Sequence, residues 1–510
     1  MGLNIAEFLR WQARCRPDAI ALVEGDRQLS YAEFDLLAAG CANALHVMGV
    51  QPRERVMIAL PNSIAWAVIY EGVLQSGAIP VPINPLLATS DIAAIARDCL
   101  PALIFDDGRH AAELRQALPE FDVRGQIIDM GVEEAGLSLL PGRLLHPLPT
   151  FAPGETAVIL YSSGAMGPPK GVELSHFNVW WNVQAFAHDL LGLSEHDCGY
   201  AVLPFSHAYA HTCLFSSFLS VGARLVLAPK FDARRCLQDM AREQVSVLMA
   251  VPAMFWSLAE AADAPPLPAL RACVSGGQAL TEPVQRRFEE RFDTLISEGY
   301  GMTEAGPSIT GNRFHADGRR AGSVGLPYWG VELKICDEAG QELPIGQTGE
   351  ILVRSPGVAR GYWNRPAFNM RSFRDGWLHS DDLGHLDADG FLYVVGRRSE
   401  VVISGGYHVY PREVEQVLRS LAGVHDAAVL GAPDARLGEC VVAFVVAALP
   451  LQAEQVAAHC RERIARYKVP RDIRFVDALP RAADGAVDRA ALKTLCAGPA
   501  PARLLPRAPA

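Results

Sequence analysis

Tyr161-Ser162-Ser163-Gly164-Ala165-Met166-Gly167-Pro168-Pro169-Lys170-Gly171 is the stretch on which the reading of this chain turns. The apolar run 157–161 (AVILY) leads into it and reads as a buried strand. Two small hydroxyl residues then precede two glycines and a lysine. Glycine lets backbone N–H groups come close to phosphate oxygens, and the lysine adds a mobile positive charge in a chain with few lysines. The spacing does not fit G-x-x-x-x-G-K-[ST], so this is not a Walker loop. Taken alone, the same residues also read as a surface Gly/Pro turn.

On either side, short apolar runs alternate with helical patterns. Residues 56–60 (VMIAL) and 79–83 (IPVPI) read as strands, and 63–74 and 88–99 as helices. Leu280, Val284, Phe288 and Phe292 recur every four residues, with Thr281 placed to cap that helix. Alternation of this kind predicts layered α/β architecture. Asp389-Gly390 marks a hairpin between 383–387 and 391–395. Residues 396–400 break the strand pattern, and a helix with Val414, Val417, Leu418 and Leu421 on one stripe follows. The expected organisation is a large α/β domain over 1–399, a small α+β domain over 400–495 and a disordered Ala/Pro-rich tail over 496–510.

Composition narrows the class. The 510 residues include 46 Lys+Arg against 57 Asp+Glu, a net charge of −11, which argues against a general affinity for nucleic acid. The first residues carry charges every few positions and no apolar h-region, so no secretory signal is expected. No window of 18 uncharged apolar residues predicts a membrane span. The 11 cysteines are scattered, odd in number and free of C-x-x-C pairs, which fits reduced thiols in a cytoplasmic protein.

Further motifs follow the glycine-rich loop in order. They are Gly299-Tyr300-Gly301-Met302-Thr303-Glu304, Gly349-Glu350-Ile351-Leu352-Val353-Arg354, Gly361-Tyr362-Trp363, Leu378-His379-Ser380-Asp381-Asp382-Leu383-Gly384, Gly396-Arg397 and Ser404-Gly405-Gly406-Tyr407-His408-Val409-Tyr410-Pro411. Gly299-x-Gly301 lacks the third glycine of a dinucleotide fingerprint, so the Rossmann reading is weak. Over about residues 30–490 the set resembles the adenylate-forming superfamily of acyl-CoA synthetases, peptide-synthetase adenylation domains and luciferases.

The resemblance implies a large multi-subdomain N-terminal α/β domain and a small mobile C-terminal α+β domain. It implies activation of a carboxylic acid by ATP to an acyl-adenylate, then transfer to the thiol of CoA or of a carrier-protein phosphopantetheine. By resemblance, Ser162, Ser163, Gly164, Gly167 and Lys170 embrace the ATP phosphates. Tyr300 stacks on adenine beside Gly299 and Gly277, and Thr303 bonds the α-phosphate. Glu304 ligates Mg²⁺, a hard ion suited to carboxylate and phosphate oxygens. Asp382 accepts the ribose hydroxyls, with Arg397 in support. His207, Tyr209, Ala210, Gly276 and Met302 line the acyl pocket, with His207 as its gate. Glu400 stands at the hinge position, usually Asp, and Gly405-Gly406 line the thiol tunnel. His207 and His211 have i, i+4 spacing, but no Glu follows His207 and no third ligand is evident, so a zinc pair is not expected.

Two departures weaken adenylation. The last family motif carries a lysine where this chain has Ala486, in Pro480-Arg481-Ala482-Ala483-Asp484-Gly485-Ala486-Val487-Asp488-Arg489. That lysine normally bridges the substrate carboxylate and the α-phosphate, and losing one such donor costs about 10²–10³ in rate. Ala165 and Met166 stand where hydroxyl residues are usual. The leading reading is an acyl-CoA synthetase-like ligase, a fatty acid being one candidate substrate, with a slowed first step. The alternatives are a half-enzyme that uses preformed acyl-AMP and a pseudoenzyme that only binds nucleotide or acyl ligand.

Overall fold

The computed structural model describes residues 2–118, 126–130, 142–162, 169–315, 318–404, 407–434, 437–481 and 486–497. The chain folds as two compact units. One comprises Met1–Leu333, Leu352–His379 and Gly390–Leu392, and the other Lys334–Ile351, Ser380–Asp389 and Tyr393–Ala510. The part of the expected tail beyond Ala497 lies outside the described residues.

In the first unit the early apolar runs are strands of one parallel sheet, ordered Ile79–Pro82, Arg55–Ala59, Leu103–Asp106, Gln126–Asp129. Val56, Met57, Ile58 and Ala59 are fully buried, as a parallel strand covered on both faces requires. The helix Ile64–Ser76 starts where the Ser63 hydroxyl accepts from Trp66 N at 3.1 Å and stops at Gly77, whose φ of 84° suits glycine. The helix Glu282–Phe292 also forms, and Phe288 buries its stripe. Thr281 sits at its N-cap but makes no capping side-chain bond, and Pro283 in the first turn sets the backbone instead.

Among the described residues the largest sheet has nine strands. Its parallel part runs Ile296–Gly301, Ala272–Ser275, Val247–Ala250, Cys198–Ala201, Arg224–Leu227, Ile20–Glu24, and Ser308–Gly311 closes antiparallel on Ile296–Gly301. The Ser275-Gly276-Gly277 and Gly301-Met302-Thr303-Glu304 segments therefore leave from the same, carboxyl edge of adjacent parallel strands. That edge is where open α/β sheets bind ligands.

Helices Tyr31–Val47 and Ile64–Ser76 pack closely and enclose Glu71, which is 3% exposed and whose Oε2 has no hydrogen-bond partner among the described residues. Burial, and then the Asp35 carboxylate, push the Glu71 carboxyl well above its ordinary range; Arg10, Arg14, Gln75 and Glu7 act on Asp35 in turn. A raised carboxyl pKa stabilises the fold below the unfolded value of about 4.3 and loses that stabilisation as pH rises through the folded value. Glu71→Gln is therefore expected to be more stable than the parent at pH 8 by about 1–3 kcal/mol, with the gap closing toward pH 5. Thermal midpoints across that range check it, and a gap that widens on acidification would refute it.

In the second unit Val424–Asp434 and Gly438–Ala447 form a long antiparallel pair, flanked by Val402–Ser404 and Asp472–Phe475. The helix Pro411–Arg419 buries Val414 and Leu418 against this sheet, with Val417 and Leu421 beside them. The strands Trp377–Leu386 and Leu392–Arg397 are paired, and Gly390 between them has φ 85°. All 11 cysteines are free. Among the described residues no helix is long and apolar enough to cross a membrane.

Candidate active site

The strand Ile296–Gly301 carries Tyr300 between two glycines, and both glycines face backbone oxygens of the segment 307–310. A Cβ on Gly301 would lie well inside 3.0 Å of the Pro307 carbonyl oxygen, and one on Gly299 would stand 3.1 Å from the Thr310 oxygen. A short 3-10 turn, Thr303–Ala305, follows. Tyr300, Met302 and Thr303 are half-buried, and Glu304 is buried. Upstream, Glu298 Oε1 accepts from Leu280 N at 2.9 Å, which ties the end of the 275–280 loop to this strand.

Glu304 Oε1 accepts a hydrogen bond from the Tyr362 hydroxyl at 2.8 Å, and Oε2 makes none among the described residues. The Lys170 ammonium stands 4.4 Å from the Phe368 ring centroid and 5.5 Å from that of Tyr362. Ser162 pairs with Lys170 across the ladder, so the two residues bracket the glycine-rich loop from its flanking strands. The structure thus brings Ser162, Lys170 and Glu304 to one region. Ser163, Gly164, Ala165, Met166 and Gly167 lie outside the described residues.

Among the expected acyl-pocket residues, Tyr209 and Gly276 are brought together. The Tyr209 ring lies over Gly276, 3.2 Å from where a Cβ would be, and its hydroxyl donates to Val274 O at 3.0 Å. Burial pushes the Tyr209 phenol well above its ordinary pKa, so it stays a neutral donor. Gly277 has φ 79°, a conformation that suits glycine. Ala210 is fully buried in the first turn of a π-helical segment, Tyr209–Ser216. His207 is half-buried at the start of this segment. His211 belongs to the core: its Nε2 lies 2.6 Å from the Tyr70 hydroxyl and its Nδ1 3.1 Å from Thr212 Oγ1. Burial pushes its pKa down to about 3, so it is neutral at physiological pH. Asn62 fixes the approach to His207 by donating to Ala201 O at 3.0 Å and Leu203 O at 2.8 Å while accepting from Phe205 N at 3.0 Å.

The second unit holds the other expected residues. The buried Asp382 carboxylate pairs with Arg397 at 3.2 Å, and its backbone N–H donates to Ser380 Oγ at 3.1 Å. Arg398 bridges Asp381 at 2.8 Å and Glu350 at 3.2 Å. Glu400 pairs with Arg489 at 3.2 Å, and Arg489 also reaches Glu415 at 2.9 Å and Val429 O at 2.6 Å. Burial pushes the Glu400 carboxyl up, against the opposing pull of Arg489 and Arg397. Lys468 spends its ammonium on both Glu413 oxygens, at 2.6 Å each. Ala486 precedes Val487, which bridges to Arg481. Gly405 and Gly406 lie outside the described residues.

Sequence reading did not assign roles to Tyr362, Asn62 and Arg489. Tyr362 was visible only as part of a Gly-Tyr-Trp motif. The partners of Asn62 lie about 140 positions away, at |i−j| of 139 to 143, where local pattern carries no signal.

Comparison with known proteins fits this geometry. Residues 9–363 match the family model for AMP-binding enzymes, and 413–486 match that for the AMP-binding enzyme C-terminal domain. A feruloyl-CoA synthase of Amycolatopsis sp is 32% identical over 485 residues, covering 93% of this chain and 96% of that protein. A long-chain-fatty-acid–CoA ligase of Bacillus subtilis is 30% identical over 516 residues, covering 93% and 91%. The crystal structure of ATP-bound MatB from Rhodopseudomonas palustris superposes with a TM-score of 0.91 at 29% identity, covering 97% of this chain and 99% of that one. The family-model matches, spanning residues 9–363 and 413–486, establish that the chain belongs to the AMP-binding enzyme family of the adenylate-forming superfamily.

Proposed function

We propose that this chain, an enzyme of the AMP-forming acid–thiol ligase class, joins a carboxylic acid to CoA through an acyl-adenylate and that its first step is slowed by Ala486. ATP, Mg²⁺ and CoA are the co-substrates and ion of that class. The observation that carries the reading is Glu304, a buried carboxylate with one oxygen fixed by Tyr362 and the other making no hydrogen bond among the described residues. A hard oxygen donor held in this way fits Mg²⁺.

Mg²⁺, when bound there, supplies charge neutralisation to the ATP phosphates. Lys170 adds a second positive charge, seated beside the Phe368 and Tyr362 rings. Thr303 offers a hydroxyl to the α-phosphate, and Tyr300 a face to adenine. The Asp382 carboxylate, paired with Arg397, offers acceptors suited to ribose hydroxyls. Tyr209 and Gly276 form a wall of the acyl pocket, with His207 at its entrance. By resemblance, Glu400 stands at the hinge position and Gly405-Gly406 at the thiol tunnel.

Relatives named for an aromatic acid and for long-chain fatty acids both match, so the test uses a panel of each kind. Acid, ATP, Mg²⁺ and CoA together are expected to yield AMP and acyl-CoA slowly. Supplied acyl-AMP with CoA is expected to turn over faster. Turnover of acyl-AMP alone, with no pyrophosphate exchange for any acid, would replace this reading with a half-enzyme. Saturable ligand binding with neither activity would replace it with a binding protein.

A further inference from the structure

Tyr362 is more firmly held than a packing residue requires. Its backbone N–H donates to Asn369 Oδ1 at 2.6 Å, and Asn369 Nδ2 donates back to its carbonyl at 3.0 Å. The Phe373 ring meets its ring edge-on, with centroids 5.6 Å apart. Gly361 before it has φ 144°, and a Cβ there would sit 2.9 Å from both the Oδ1 and the Nδ2 of that same Asn369. The side chain so fixed does two things. Its hydroxyl holds Glu304 Oε1 at 2.8 Å, and its ring stands 5.5 Å from the Lys170 ammonium.

We infer that Tyr362 is a positioning residue that sets the metal-binding carboxylate of Glu304 and the phosphate-loop lysine in register with each other. The inference rests on Glu304 as the Mg²⁺ ligand, the reading given above. A carboxylate ligand turns easily about its terminal torsion, and one donated hydrogen bond to Oε1 leaves Oε2 presented in a single direction. Outer partners of this kind typically govern metal affinity by about 10–100-fold. The ring contributes separately. Together with Phe368 it offers the ammonium two aromatic faces, which favour a cation without neutralising it as a carboxylate would. One rigid side chain thus serves two groups that lie 134 positions apart in sequence, at 170 and 304.

Tyr362→Phe keeps the ring and removes only the hydroxyl, so folding and the Lys170 seat are retained. The readout is Mn²⁺ binding to the enzyme with a non-hydrolysable ATP analogue, followed by electron paramagnetic resonance, alongside the Mg²⁺ dependence of pyrophosphate exchange. The expected result is about a tenfold rise in the Mn²⁺ dissociation constant, a matching shift in the Mg²⁺ requirement, and no further rise when Tyr362→Phe is added to Glu304→Gln. If Glu304→Gln weakens Mn²⁺ binding and Tyr362→Phe does not, the positioning role is overturned while the Glu304 assignment stands. Unchanged Mn²⁺ binding in Glu304→Gln overturns both.

Discussion

Replacing Ala486 with lysine is expected to raise pyrophosphate exchange by about 10²–10³-fold, the range that one preorganised charge donor contributes to an acyl-transfer transition state. The expectation depends on whether another cation of the second unit already supplies that charge, and the structure shows three of them engaged elsewhere. Lys468 is clasped by both oxygens of Glu413. Arg489, three residues beyond Ala486, is shared between Glu400, Glu415 and the Val429 carbonyl. Arg481, which flanks the segment on its other side, pairs with Asp426 at 2.6 Å. To reach a substrate carboxylate, each would have to abandon a carboxylate it already holds. Exchange measured with the best acid of the panel, at saturating ATP, gives the answer. No rise in a variant that still binds ATP would move the deficit to Ala165 and Met166.

How much of this could be read in advance depends on the range of the interaction. The strands at 55–59 and 156–162 and the helix at 64–76 were legible because burial writes continuous apolar runs and caps write Ser63 and Gly77 at the ends. Thr281 shows the limit of that grammar, because the N-cap position was right and the capping bond was not made. The family was legible from ordered motifs, through resemblance rather than through periodicity. Their second partners were not. Glu304 and Tyr362 are 58 positions apart, and Lys468 and Glu413 are 55 apart. Such pairs are set by which loops the sheets bring together, a property no local window contains. The pair His207/His211 illustrates the converse. Its helical spacing alone would suit a shared ligand, the missing Glu and third ligand argued against one, and the tertiary fold gives His211 to Tyr70 in the core.

Gly301→Ala is expected to lower adenylation by about 10²-fold while leaving the fold largely intact. The glycine is at a strand end and solvent-exposed, so the effect cannot come from overfilling the core. It comes from one carbonyl. The new Cβ would compete for the position of the Pro307 oxygen, the same oxygen that accepts from Met302 N at 3.2 Å. Backbone cannot rotate away as a side chain can, so the pairing of Gly301 with Ser308 must open or the hydrogen bond from Met302 must break. Either response displaces Thr303 and Glu304, which follow Met302 and to which the proposed function assigns the α-phosphate and metal contacts. A shift of about 1 Å in such groups is enough for a loss of that size. Tyr300, on the other side of the glycine, moves less, because Tyr300 remains paired with Thr310. The variant should therefore retain much of its AMP affinity while losing exchange. Calorimetric titration with AMP beside the exchange assay separates the two, and equal losses in both would show that the glycine serves the whole nucleotide seat rather than the turn that bears Thr303 and Glu304.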